Sequence, residues 1–169
     1  MIKLFEYNWQ VRKDWFGWCG EINPDELLKK RTGGLGYILP TLYHIAAVEY
    51  GWICGGIQGK EIYIPAFDEV ASLKQVIDFS NRCHAEVAPF VYGWSDSFEN
   101  RVMIDITDDG EEEAHSWGEV MRHVIVHEIH HIGQLSVWAR EIGKAPVSAN
   151  LIGRGLFGSY SSNHSDEGV

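Results

Sequence analysis

Residues 123–135 read "HVIVHEIHHIGQL", a stretch that packs four histidines and a glutamate into thirteen positions. On either side of it, apolar and aromatic residues fall at Trp117, Val120, Val124, Leu135, Trp138 and Ile142. That three-and-four spacing predicts one long helix over 117–142, stopped by Gly143 with Pro146 just beyond. Carried through the middle of the stretch, the stripe lands on His127 and His131. Two imidazoles on a core-facing side need partners for their ring nitrogens. At i and i+4 they stand about one helical turn apart, close enough to share a metal ion.

A third ligand then has to come from a facing helix. Residues 38–53, "ILPTLYHIAAVEYGWI", read as the second long helix, and His44 interrupts its apolar run. With the pair, His44 completes a three-histidine site carried on two helices. His123 and His130 have spacings that compete for the pair but lie off the stripe, and read as polar-face histidines or as partners that orient a ligand. His84, His115 and His164 read as exposed.

The remaining elements follow from the same rules. "KLFEYNWQVRKDWFGW" (3–18) mixes aromatics with charges and predicts a first amphipathic helix. Asn23 followed by Pro24 and two acids is the start signature of a short helix. Val70, Leu73, Val76, Ile77, Cys83 and Val87 mark a third long helix over about 68–90. Val102, Ile104 and Ile106 alternate ahead of an Asp-Gly turn, which predicts a short β-hairpin before the last helix. "TGGLGY" (32–37) lacks the GxxxxGK[ST] pattern and a preceding strand, so it reads as a helix-entry turn whose glycines let neighbours approach. Four long helices with little strand make an all-α four-helix bundle. One domain covers residues 1–150, followed by a loosely ordered tail over 151–169.

Composition narrows the function. At 169 residues, 45% hydrophobic and 22% charged, with seven tryptophans, the chain can sustain a core of its own. A net charge of −10 removes the basic stripe that a duplex nucleic-acid binder needs. Residues 37–57 approach membrane-spanning length but carry Pro40, His44 and Glu49, which argues against a bilayer span. Cys19, Cys54 and Cys83 form no CxxC pair and read as free buried thiols; with no apparent signal peptide, the expected location is the cytoplasm.

His127-Glu128-Ile129-His130-His131 also satisfies the HExxH pattern of zinc proteases. The metzincin form of that site needs a glycine and a further histidine where this chain has Gln134 and Val137. The glutamate-ligand form needs an acid in the neighbourhood where this chain has "NLIGRG" (150–155). A protease would therefore lack its third ligand.

The wider string "HEIHHIGQL" resembles the HxxxHHxGQ helix of the DinB/YfiT-like family. His44 in the second helix, the run "GGLGYILPTLYHIAAVEYGW" and the closing "VWAREIG" fit as well, and the similarity of order spans most of residues 3–146. The resemblance implies a four-helix bundle in which His44, His127 and His131 bind a divalent metal, with zinc or nickel ahead of manganese. Relatives include enzymes that use a low-molecular-weight thiol such as bacillithiol or mycothiol, so it implies a metal-dependent S-transferase acting on a small-molecule electrophile, as a homodimer. Glu128 and Gln134 are then the candidates for a base or a partner that orients a ligand. A metal-dependent hydrolase and a non-catalytic metal-binding stress protein are the other readings of the same site. Many members carry Arg where this chain has Ile132.

Overall fold

The computed structural model describes residues 1–107 and 109–158. Within them the chain runs α1 (Ile2–Gly20), α2 (Pro24–Leu27), α3 (Ile38–Tyr50), α4 (Leu73–Tyr92), β1 (Val102–Ile106), β2 (Glu112–Ser116) and α5 (Trp117–Glu141). The four long helices form the bundle. α1 packs on α4 and α5, and α3 packs on the same two, so α1 and α3 stand diagonally across the axis. Trp15, Trp138, Phe5, Leu42, Ile45, Met121 and Leu135 are fully buried between them.

Local chemistry sets the ends of α5, the helix that carries most of the site. Ser116 Oγ accepts the Glu119 N–H at 3.2 Å, and the Glu119 carboxylate accepts the Ser116 N–H at 3.0 Å. This reciprocal cap satisfies two N–H groups that the first turn leaves open. At the other end Gly143 takes φ +79°. Its N–H donates to Arg140 O, and the Lys144 N–H donates to Ala139 O, closing the last turn.

Three elements differ from expectation in detail. The second helix keeps α geometry only to Tyr50 and continues as a π-helical segment over Gly51–Ile57. Here Gly55 and Gly56 lie so close to Ile62 and Met103 that an added Cβ would come within 2.9 and 2.8 Å of them. The third helix starts at Leu73 because Ser72 caps it, and Phe67–Val70 is a separate 3-10 turn. In the hairpin, β1 pairs antiparallel with β2, Val102 opposite Ser116 and Ile106 opposite Glu112. Its apolar alternation faces outward: Met103 is buried, while Val102, Ile104 and Ile106 are exposed.

Packing also continues beyond residue 150. Leu156 is buried against the core and Leu151 half-buried, and Arg154 pairs with Asp14 of α1 at 3.0 Å. These residues add an apolar contact and an ion pair to the bundle, while Ile152 and Phe157 beside them are exposed; residues 159–169, including His164, lie outside the described residues. The three cysteines are free and buried. Among the described residues, no helix is long and apolar enough to cross a membrane.

Candidate metal centre

α5 buries two adjacent stripes. Met121, Ile125, Glu128, Ile132, Leu135 and Ala139 face the bundle axis, while Val120, Val124, His131 and Trp138 lie on its flank together with His127. One residue step on a helix turns about 100°, which separates His127 from Glu128. The flank faces α3, and there His44 meets the pair. His44 Nε2 lies 3.0 Å from His127 Nε2, which lies 3.1 Å from His131 Nε2. One ligand atom from each ring falls within 4.8 Å of the others. His131 is buried, whereas His44 and His127 are half-buried, so the cluster opens to one side.

The donor set fits a divalent cation. Two imidazole nitrogens bound tetrahedrally at about 2.0–2.1 Å from zinc stand roughly 3.3 Å apart, close to the separations here. Gln134 Oε1 is 2.8 Å from His131 Nδ1, so that nitrogen carries the proton and donates it. His131 Nε2 is then a bare lone pair aimed at His127. His127 Nε2 faces two neighbours and holds at most one proton, so at most one of the two contacts can be a linear hydrogen bond. Burial, reinforced by the neighbouring imidazoles, pushes His127 down to about 3. Burial likewise lowers His44, aided by His131, and lowers His131 against the opposing bond from Gln134. All three rings are therefore neutral at physiological pH, the form that binds metal.

The sign of these shifts predicts how the metal-free protein responds to acid. The folded values lie below the ordinary 6.5, so the unfolded chain takes up protons first. Stability present above that pH is lost as pH falls through the window, which for His127 extends down to about 3. The melting temperature of chelator-treated protein should fall continuously from about pH 7 to about pH 5; a flat profile across that range would contradict the assignment.

Glu128, a candidate base or orienting partner, points to the bundle axis and not to the flank that carries the histidines. It is buried on the axial stripe, where Arg12 Nε donates to Oε1 at 2.9 Å and Arg12 Nη2 to Oε2 at 2.5 Å. Arg12 Nη1 also donates to Glu49 Oε1 at 3.0 Å, and Trp9 Nε1 donates to Glu49 Oε2 at 2.9 Å. Burial lifts Glu128 above the ordinary carboxylate range against the pull of Arg12. Burial alone would depress Arg12, yet the two carboxylates hold it above its ordinary value. The glutamate of the HExxH pattern thus belongs to a buried charge network joining α1, α3 and α5. Sequence reading did not find Arg12, because nothing in the mixed pattern of α1 marks one charge as internal.

The other histidines are spread around the cluster. His130 is exposed, with Nε2 2.8 Å from Gln134 Nε2, so Gln134 bridges two imidazoles. His123 is exposed near Trp52, with ring centroids 5.8 Å apart. His84 is half-buried, not exposed as expected, with its ring edge-on to Trp9 at 4.4 Å. A cavity of about 700 Å³ between α1 and α4 includes Trp9, Arg12, His84 and Tyr92 in its lining and shares no residue with the histidine cluster. The histidine cluster and this cavity are therefore lined by different residues.

A family model described as "DinB family" matches residues 1–154. The chain is 46% identical over 156 residues to a Bacillus subtilis (strain 168) protein named "Uncharacterized protein YizA", covering 92% of this chain and 96% of that one. A helical bundle with this element order, matched along nearly its whole length, belongs to the DinB family.

Proposed function

We propose that this protein is a metal-dependent S-transferase, holding one divalent ion, zinc or nickel, on His44, His127 and His131 and taking a low-molecular-weight thiol as cosubstrate. The observation that carries the reading is the convergence of three imidazole nitrogens with no carboxylate or thiolate among them. Three neutral ligands leave an ion's charge uncompensated and its coordination incomplete, as in catalytic sites rather than closed structural ones. When bound, such an ion supplies Lewis acidity that lowers the pKa of a thiol placed beside it.

The chain's own residues favour a nucleophile that ionises readily. Glu128, which a HExxH hydrolase would use to take a proton from water, has both oxygens engaged by Arg12. Gln134 acts through His131, orienting the ring and fixing its proton at Nδ1. The half-buried edges of His44 and His127 leave room for a small cosubstrate and a small electrophile to approach from solvent.

A panel of low-molecular-weight thiols with a chromogenic electrophile tests this. Conjugate formation should require both thiol and metal and should stop on chelation. Cleavage of esters or amides with no thiol present would favour the hydrolase reading. Absence of turnover in a metal-loaded protein across the panel would favour a non-catalytic metal-binding role.

A further inference from the structure

The glycine-rich loop over 32–36 leads into α3 and closes on Gln134, which holds His131. Gly34 has φ +51°, and a Cβ built on it would stand 2.3 Å from Gln134 Oε1, 2.6 Å from Cδ and 2.9 Å from Nε2. The loop is tied to α5 and to itself. Trp138 Nε1 donates to Thr32 O at 2.9 Å, the Arg31 N–H donates to Gly36 O at 2.7 Å, and the Arg31 guanidinium lies 3.6 Å from Glu141. With the loop pinned, an added methyl group would displace the end of the Gln134 side chain. Both ends of that amide are in use, Oε1 at His131 Nδ1 and Nε2 at His130 Nε2.

We infer that Gly34 is a positioning residue of the metal centre: bare backbone at this point seats the Gln134 amide on His131 Nδ1 and thereby sets which nitrogen of His131 is free for an ion. The inference rests on the metal reading proposed above. Its physical core is the amide's orientation. With the amide oxygen on Nδ1, His131 carries its proton there and offers Nε2 to the cluster. A displaced or reversed amide loses that preference, and a ring protonated at Nε2 must shift its proton before that nitrogen can bind.

Gly33 supplies the control. It also has positive φ, +81°, but nothing lies within 4 Å of the Cβ it would gain. Gly33→Ala therefore places a side chain at positive φ, with at least as much backbone strain, without touching Gln134. Zinc affinity of the full chain should fall about 10–100-fold in Gly34→Ala and in Gln134→Ala, and stay unchanged in Gly33→Ala. In the Gly34→Ala/Gln134→Ala double variant the obstructing side chain is gone, so the affinity should match Gln134→Ala alone. That comparison holds even if Gly34→Ala alone fails to fold. Imidazole nitrogen NMR of the zinc-free protein adds a readout independent of metal. Wild type should show His131 protonated at Nδ1, and Gly34→Ala should show a tautomer mixture.

The inference is overturned if Gly34→Ala matches Gly33→Ala in both affinity and tautomer. It is also overturned if the double variant binds zinc distinctly more weakly than Gln134→Ala. A wild type that binds no zinc but shows the tautomer change on Gly34→Ala would defeat the metal reading and leave the positioning role standing.

Discussion

Replacing Arg12 by alanine is expected to remove roughly 3–5 kcal/mol of folding stability, the usual cost of leaving a buried ion pair with one partner. Glu49 and Glu128 are each 1% exposed, and Arg12 reaches both. Without the guanidinium, Glu49 keeps only the Trp9 indole, and Glu128 loses both of its Arg12 bonds. For a chain of this size the loss corresponds to a fall in melting temperature of roughly 6–20 °C. Arg12→Lys should recover part of it, because an ammonium restores the charge but not the planar fork. The network is a tie between helices more than a net source of stability. Replacing Arg12, Glu49 and Glu128 together with apolar residues of similar size should therefore melt higher than Arg12→Ala alone. A thermal melt in which Arg12→Ala moves the midpoint by less than about 2 °C would contradict the account.

The second large effect is expected at His127. Its Nε2 is the middle atom of the cluster, 3.0 Å from His44 and 3.1 Å from His131. Loss of a partner that merely orients a ligand weakens metal binding about 10–100-fold, so loss of the central ligand should exceed about 100-fold. Zinc held at about 100 times its dissociation constant stabilises a protein by about 2.7 kcal/mol, or roughly 5–11 °C here. Wild-type protein should gain that increment on adding zinc and lose it to a chelator, while His127→Ala should show neither. The zinc-free variant should fold, because the His127 ring is half-buried at the open side of the cluster and not enclosed in the core. A zinc-induced shift of equal size in His127→Ala would place the ion elsewhere.

What was legible in the sequence, and what was not, divides along a physical line. Helical periodicity, the Gly143 stop and the Asp-Gly turn are local, so the bundle and the hairpin could be read from neighbouring residues. His44, His127 and His131 were legible for the same reason, as polar residues on otherwise apolar faces. Glu128 is adjacent to His127 in sequence, but one helical step points it at Arg12, a contact that sequence adjacency does not reveal. Arg12, the packing of Leu156 and the approach of Gly34 to Gln134 depend on contacts between distant segments. The outward apolar face of β1 was missed because alternation gives the strand but not the side it buries.

The central claim is that His44, His127 and His131 together hold one ion. Metal analysis of the purified full chain after incubation with zinc and removal of excess tests it most directly. The account predicts about one zinc per wild-type chain and essentially none in the His44→Ala/His127→Ala/His131→Ala variant, with both proteins helical by circular dichroism. Equal zinc in the two, or none in the wild type, would contradict it.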